Sequence, residues 1–261
     1  MTTDTTGAVG STTRSDTTAP AVRFRNVSMT FPDGTRALED VSFDIRRGEF
    51  VTVVGPSGCG KSTLLRIASG LNAASSGEVI LDRSGLGYVF QDATLLQWRN
   101  VFRNVELLAE LDGHPVEERR RRVQESIELV GLAGFEDKYP KQLSGGMKMR
   151  ASLARSLVLD PQVFMFDEPF GAVDEITRER LNSEVLTLFE RNGFAGLFIT
   201  HSISEAVFLS TRILVMSARP GRIIAEFEVP FGYPRVPDLR FEPEFGHLAG
   251  EVSHALRGGH A

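Results

Sequence analysis

Apolar and polar positions alternate or cluster in a way that divides the chain into a regular series of elements. Residues 21–30 and 37–45 read as two strands around a turn at Pro32-Asp33-Gly34. Residues 50–54 form a short apolar run of the kind that makes a buried strand. Residues 62–71 then switch to helical spacing, with Leu64, Leu65, Ile67, Ala68 and Leu71 apolar. Residues 78–81 and 86–90 suggest two strands joined by a tight turn at 83–85. From 92 to 160 the character is helical. Residues 104–112 and 116–130 have helical spacing, with Val116, Val123, Ile127 and Val130 expected on one side. Leu143-Ser-Gly-Gly-Met147 leads into an amphipathic helix to about Leu159, stopped by Asp160-Pro161. Strands follow at 163–166, 194–200, 212–216 and 222–229, the last two separated by a turn at Arg219-Pro220-Gly221, and 245–256 suggests a final helix.

This order implies an α/β core sheet with a helical unit at 92–160 inserted in it, the whole running over 21–257. Residues 1–20 hold eight threonines and no apolar run. Such a segment buries too little surface to offset ordering entropy, so a disordered tail is expected there. Residues 258–261 are expected to fray. The composition, 41% hydrophobic and 24% charged over 261 residues, is that of a globular chain.

Three global features narrow the function. A net charge of −5 argues against a general nucleic-acid binder. A single cysteine, Cys59, rules out an internal disulfide or a cysteine-rich zinc site. No apolar run approaches the roughly 18 residues that span a bilayer, and the N-terminus lacks a signal-peptide core. An intracellular protein is expected, one that would work at a membrane only through a partner.

The chemistry centres on Gly55-Pro56-Ser57-Gly58-Cys59-Gly60-Lys61-Ser62-Thr63, which fits the phosphate-loop pattern G-x-x-x-x-G-K-[ST] between a strand and a helix. Gly55, Gly58 and Gly60 are expected to free the backbone so that several N–H groups converge on one anion. A helix starting near Lys61 adds its positive end. Lys61 can reach the β- and γ-phosphates, and the Ser62 hydroxyl can ligate Mg²⁺. Because Cys59 lies inside the loop, alkylation of its thiol is expected to block nucleotide binding, and nucleotide to protect it.

Other candidates stand at element ends. The strand at 163–166 ends in Asp167-Glu168-Pro169, two adjacent carboxylates that are costly unless a cation sits beside them. Asp167 suits a Mg²⁺ ligand, and Glu168 suits a base that deprotonates water. Ser144 is a good N-cap, and the glycines after it leave a second anion-binding helix end. His201 follows a core strand, where its imidazole is either structural or turned to a γ-phosphate. Phe31 reads as a core residue or an adenine-stacking ring. Gln91 reads as a polar loop residue or one that ligates metal and contacts water. Trp98, the only tryptophan, falls in a loop where core packing and partner docking compete. The Glu117–Arg122 charge run is most simply a solvated helix face.

Taken together, Gly55 to Thr63, Gln91, Leu143 to Met147, Val163 to Glu168, Asp174 and His201 resemble, in order and spacing, the nucleotide-binding subunits of ABC transporters. The resemblance spans about residues 22 to 257. Leu95-Leu96-Gln97-Trp98-Arg99, Phe170-Gly-Ala-Val-Asp174 and Met216-Ser-Ala-Arg-Pro-Gly-Arg222 look like the nitrate/sulfonate/taurine importer branch. It implies a P-loop NTPase with a RecA-like core sheet, an antiparallel β-subdomain and an inserted helical subdomain. It also implies an ATPase that uses Mg²⁺ and pairs head to tail with a second copy of itself. ATP would be held by Phe31, residues 55–63 and Gln91 of one copy and capped by Ser144, Gly145 and Gly146 of the other. Ser62, Gln91 and Asp167 would face the metal, Glu168 would be the base, His201 the γ-phosphate switch and Asp174 the link between sites. Membrane permease subunits and, indirectly, a solute-binding protein would be partners, with the chain peripheral on the cytoplasmic face of the membrane. The alternative is a soluble ABC-type ATPase acting mechanically without a membrane partner. A phosphate-loop kinase would lack the Leu-Ser-Gly-Gly helix, and a non-hydrolysing module would be expected to lose Glu168 or His201. Met149 and Ser202 depart from the family's common glutamine and aspartate. The short 82–86 link departs too, and implies a trimmed edge hairpin.

Overall fold

The computed structural model describes residues 19–171 and 173–258, so the first 18 residues of the tail expected at 1–20, Ala172 and the last three residues lie outside the described residues. The chain opens with β1 (Val22–Thr30) and β2 (Arg36–Ile45), then β3 (Phe50–Val54) and α1 (Lys61–Ala68). β4 (Ser76–Leu81) and β5 (Leu86–Val89) follow. Then come α2 (Val101–Leu111), α3 (Val116–Leu129) and α4 (Gly145–Leu157). The second half holds β6 (Val163–Asp167), α5 (Glu175–Asn192), β7 (Ala195–Thr200), α6 (Ile203–Leu209), β8 (Arg212–Met216), β9 (Ile223–Glu228) and α7 (Pro243–Gly258).

Two sheets divide the strands. β2-β1-β4 is an antiparallel three-stranded sheet, and β5-β6-β7-β3-β8-β9 is a six-stranded sheet that is parallel except for β9. The central strands β6, β7 and β3 are buried throughout and mostly apolar because both faces are covered, as parallel sheets require. In β3 the two-residue period sorts the side chains. Phe50 and Val54 join the cluster containing α2 to α7, while Val51 and Val53 join the one containing α1 and the small sheet. Phe50 is the hub of an aromatic group, with Phe166, Phe189, Phe194 and Phe198 rings 5.3–6.4 Å from its own. Helices α2, α3 and α4 pack on one another. Val123, Ile127 and Val130 supply the buried side of α3, but Val116 is exposed, because it occupies the first turn beyond that contact.

The parallel arrangement positions the site. β3, β5, β6, β7 and β8 all end at one edge of the sheet. The segments after them, carrying Gly55, Gln91, Glu168, His201 and Arg219, therefore meet there although up to 164 residues separate them.

Several expectations are corrected. The hairpin expected from 78–81 and 86–90 does not form: β4 pairs with β1 and β5 with β6, so the turn at Arg83–Gly85 carries the chain from one sheet to the other. Local spacing cannot distinguish these outcomes, because β4 completes the open edge of β1 and β5 the edge of β6. The last strand starts at Ile223, and the final helix reaches Gly258 instead of fraying from that residue. Two helices, α5 and α6, have no counterpart among the expected elements. α5 nonetheless carries signals: Asp174 as N-cap, Leu181, Val185, Leu188 and Phe189 buried at helical spacing, and Gly193 left-handed at its end.

Candidate functional site

The loop after β3 wraps the start of α1. Gly60 precedes the helix at φ 111°, and a β-carbon there would lie 2.6 Å from the Ala37 carbonyl oxygen, so only glycine fits. No side chain caps α1, which leaves its first N–H groups for an anion. Gly58 is also left-handed, but Gly55 is not: it is needed because a side chain would strike Cys59 Sγ and Met216, which corrects the expectation of backbone freedom at all three glycines.

Lys61 is buried and donates to the Gly55 and Pro56 carbonyls at 2.9 and 3.0 Å, folding back over the loop. Its Nζ is also 3.5 Å from Glu168 Oε1. The other Glu168 oxygen, Oε2, lies 3.1 Å from His201 Nδ1. One carboxylate thus stands between the loop's cation and an imidazole. Glu168 follows the tip of β6 with φ 45°, its N–H bonded to Ile199 O. A non-glycine residue at positive φ stores roughly 1–3 kcal/mol of strain, and here it turns the carboxylate out of the strand toward the loop.

Ser62 Oγ donates to Asp167 Oδ1 at 2.7 Å, and Tyr88 OH donates to Asp167 Oδ2 at 3.4 Å. Burial pushes the Asp167 carboxyl above its usual range, against the pull of these two bonds. Burial, followed by the neighbouring Asp167 charge, also raises the Tyr88 phenol. A buried carboxylate beside a hydroxyl, with the Gln91 amide near the mouth, is an all-oxygen donor set suited to a hard divalent cation.

Phe31, Ala37, Ser57, Gly58, Gly60, Lys61, Ser62, Thr63, Gln91, Glu168 and Arg219 line one cavity of about 270 Å³. Phe31 is half-buried on its wall rather than in the core. Ser144, Gly145, Gly146, Asp174 and His201 are not in that lining. Ser144 caps α4 by accepting from Met147 N, and Ser144 and Gly145 are exposed. A β-carbon on Gly146 would come within 2.8 Å of Thr177 Cγ2, so the tip of α4 rests on the first turn of α5. Asp174 caps α5 by accepting from Thr177 N at 3.0 Å, and that bond holds its carboxyl below the usual range.

Two residues, Arg219 of the pocket lining and Tyr88 behind Asp167, were invisible as site residues in the sequence. Arg219 donates from Nε and Nη2 to the Gly58 carbonyl at 3.1 and 2.8 Å, bracing the loop's outer rim. Tyr88 reaches Asp167 only because β5 lies beside β6. Of the departures, Met149 is buried in the larger core cluster, where an apolar side chain is at home. Ser202 caps α6, accepting from Glu205 N at 3.3 Å.

The thiol of Cys59 is buried among apolar side chains, 1% exposed, and outside the cavity lining. Burial raises its pKa. Only the thiolate reacts, so labelling of the folded chain requires the loop to open first. Alkylation by iodoacetamide at pH 8 is expected to be at least about tenfold slower in the folded protein than after denaturation. The rate should rise with pH, as thiolate forms, and fall further when nucleotide holds the loop closed. Rapid labelling of the folded chain at pH 8 would contradict this burial.

A mixed sheet whose central strand runs into a glycine loop and helix, with paired carboxylates at a neighbouring strand tip, defines a P-loop NTPase. The family described as ABC transporter matches residues 38–171, and the chain belongs to it. It is an ATP-binding subunit of the ABC type and an ATPase. It is 42% identical to the taurine import ATP-binding protein of Roseobacter denitrificans over 246 residues, covering 88% of this chain and 92% of that one. It is also 42% identical to an aliphatic sulfonates import ATP-binding protein of Bacillus cereus over 224 residues, covering 82% and 88% respectively. Among solved structures, a dimeric ATP-binding cassette in a post-hydrolysis state with ADP and Pi superposes with a TM-score of 0.72. That cassette is 32% identical, and the match covers 81% of this chain and all of that one.

Proposed function

We propose that this chain, with 21–257 as one nucleotide-binding unit and 92–160 inserted within it, is the ATP-hydrolysing subunit of an importer for taurine, an aliphatic sulfonate, nitrate or a related small solute. Two copies pair head to tail. Phe31, residues 55–63 and Gln91 of one hold ATP, and Ser144, Gly145 and Gly146 of the other close over its γ-phosphate. Ser62, Asp167 and Gln91 hold Mg²⁺, which when bound neutralises charge on the phosphates. Glu168 takes the proton of the attacking water, His201 senses the γ-phosphate, and Asp174 links the two sites. Closure moves the helical parts together, and these act on separate permease subunits at the cytoplasmic face of the membrane, fed by a solute-binding protein.

One observation carries this reading: the Glu168 carboxylate sits between Lys61 and His201 at the phosphate loop, while the capped tip of α4 is exposed and outside the same cavity. A second anion-binding end that serves no site in its own chain suits one in a twin. The taurine and sulfonate relatives support the importer assignment. Among the described residues no helix is long and apolar enough to cross a membrane, which agrees with separate permeases.

The docking surface is expected at Trp98, which is 74% exposed. Backbone bonds from Val101 N to Lys138 O and from Phe102 N to Glu136 O hold the 135–139 segment against the start of α2, three residues beyond Trp98, with Phe135 and Tyr139 also exposed. A tryptophan at the centre of an interface commonly contributes about 2 kcal/mol or more. Purified from detergent-solubilised host membranes, the tagged chain is expected to bring a multi-span membrane protein in comparable amount. Trp98→Asp should lose that protein and keep its own ATPase rate. Wild-type chain that comes out of such membranes alone would favour the soluble mechanical ATPase.

A further inference from the structure

A polar chain built on a buried carboxylate joins the residues on either side of His201 to α5, and none of its members lines the nucleotide cavity. Glu205 on α6 is 5% exposed. Its Oε2 is bonded to the Thr200 hydroxyl, and Thr200 Oγ1 in turn accepts from Ser202 N at 3.0 Å. His201 is therefore bracketed by two residues whose positions the Glu205 carboxylate fixes. Such a carboxylate is tolerated in the interior only with compensating partners. Two cations act on it, Arg178, with Nε 3.9 Å from Glu205 Oε1, and Arg240, while Oε1 itself has no hydrogen-bond partner among the described residues.

Arg178 has a second set of contacts. Its Nε donates to Phe170 O at 3.3 Å, Nη2 to Val173 O at 3.1 Å, and Nη1 to Glu175 Oε2 at 2.9 Å. The two carbonyls belong to the segment that delivers Asp174 to its cap position. One rigid guanidinium thus holds the Asp174 segment by its backbone and faces the carboxylate that fixes the residues around His201. A fork-shaped donor with few rotamers left transmits displacement better than a flexible ammonium.

We propose that Arg178 and Glu205 are positioning residues that tie the placement of His201 in one copy to the state of its Asp174 segment. Docking of a second copy at Asp174 then adjusts hydrolysis in the first. The inference rests on the roles given above to Asp174 and His201. Misplacing a reacting group by about 1 Å can cost on the order of 10²-fold in rate, so a small shift along this chain is enough.

The test compares ATP turnover by full-length wild type, Arg178→Gln, Thr200→Val, Thr200→Ser and Glu168→Gln across ATP concentration, with thermal melting of each. Wild type is expected to be sigmoidal in ATP. Arg178→Gln and Thr200→Val should each lower kcat about tenfold or more and leave the half-saturating ATP concentration within about twofold. Both should bring the Hill coefficient toward one. Thr200→Ser, which keeps the hydroxyl, should restore both quantities. A double variant combining Arg178→Gln with Thr200→Val should be no slower than the worse single one, as expected for groups on one path. Thr200→Val is nearly isosteric, so it serves if Arg178→Gln melts early. A wild type hyperbolic in ATP, variants that slow turnover with cooperativity intact, or a serine variant no better than valine would each overturn the proposal. Glu168→Gln separates the two readings. If it is inactive while Arg178→Gln behaves as wild type, the base stands and the coupling falls. If it is active, the base falls and the Hill coefficients still decide the coupling.

Discussion

Glu168→Gln is expected to bind ATP and stop: turnover should fall about 10²- to 10⁴-fold, the usual contribution of a general base. The amide keeps the length of the side chain, and its oxygen can still accept from Lys61 Nζ, now 3.5 Å from Glu168 Oε1. What disappears is the capacity to take a proton from water. The ATP-bound pair of copies should therefore accumulate. Phosphate release and size-exclusion chromatography with ATP read the two halves of the prediction. A variant that releases phosphate at the wild-type rate removes Glu168 from the mechanism.

Lys61→Ala should act earlier, at binding. The side chain is buried, and its three donors are shared between two loop carbonyls and Glu168. Without nucleotide it neutralises the interior of the loop, and with nucleotide it can redirect one or more donors to phosphate oxygens. Hydrogen bonds to charged groups contribute about 1.5–3 kcal/mol each, so one lost bond should weaken ATP about 10- to 150-fold. Removing the ammonium also leaves the Gly55 and Pro56 carbonyls without that donor, which should add to the loss. Equilibrium titration with a fluorescent ATP analogue checks this. An unchanged affinity would mean that α1 and the loop amides hold the phosphates alone.

The sequence exposes those parts of the site whose chemistry is local. Residues 55–63 announce their turn because strand, glycines and helix are contiguous. Ser144 and its two glycines do the same for α4. What local pattern does not carry is partnership between strands. β4 and β5 look like a hairpin in isolation, and only the free edges of β1 and β6 separate them. Tyr88 is unremarkable until the β5–β6 register places it opposite Met165, within reach of Asp167. Arg219 belongs to a recognisable segment, but its grip on the Gly58 carbonyl depends on β8 running beside β3. α5 is a different kind of omission. Its caps and apolar spacing are legible, but its outer face is charged enough to mask them beside the apolar strands on either side.

The close approach of Gly146 to Thr177 has a bearing on how mutational data for the α4 tip should be interpreted. Any side chain at 146 pushes on α5 inside a single chain, before a second copy or a nucleotide is present. Intolerance at that position therefore mixes two pressures, the proposed ligand capture across the pair and steric fit within each member. Substitution at Gly145, which faces solvent and where a β-carbon would meet nothing within 4 Å, is the cleaner report of the first.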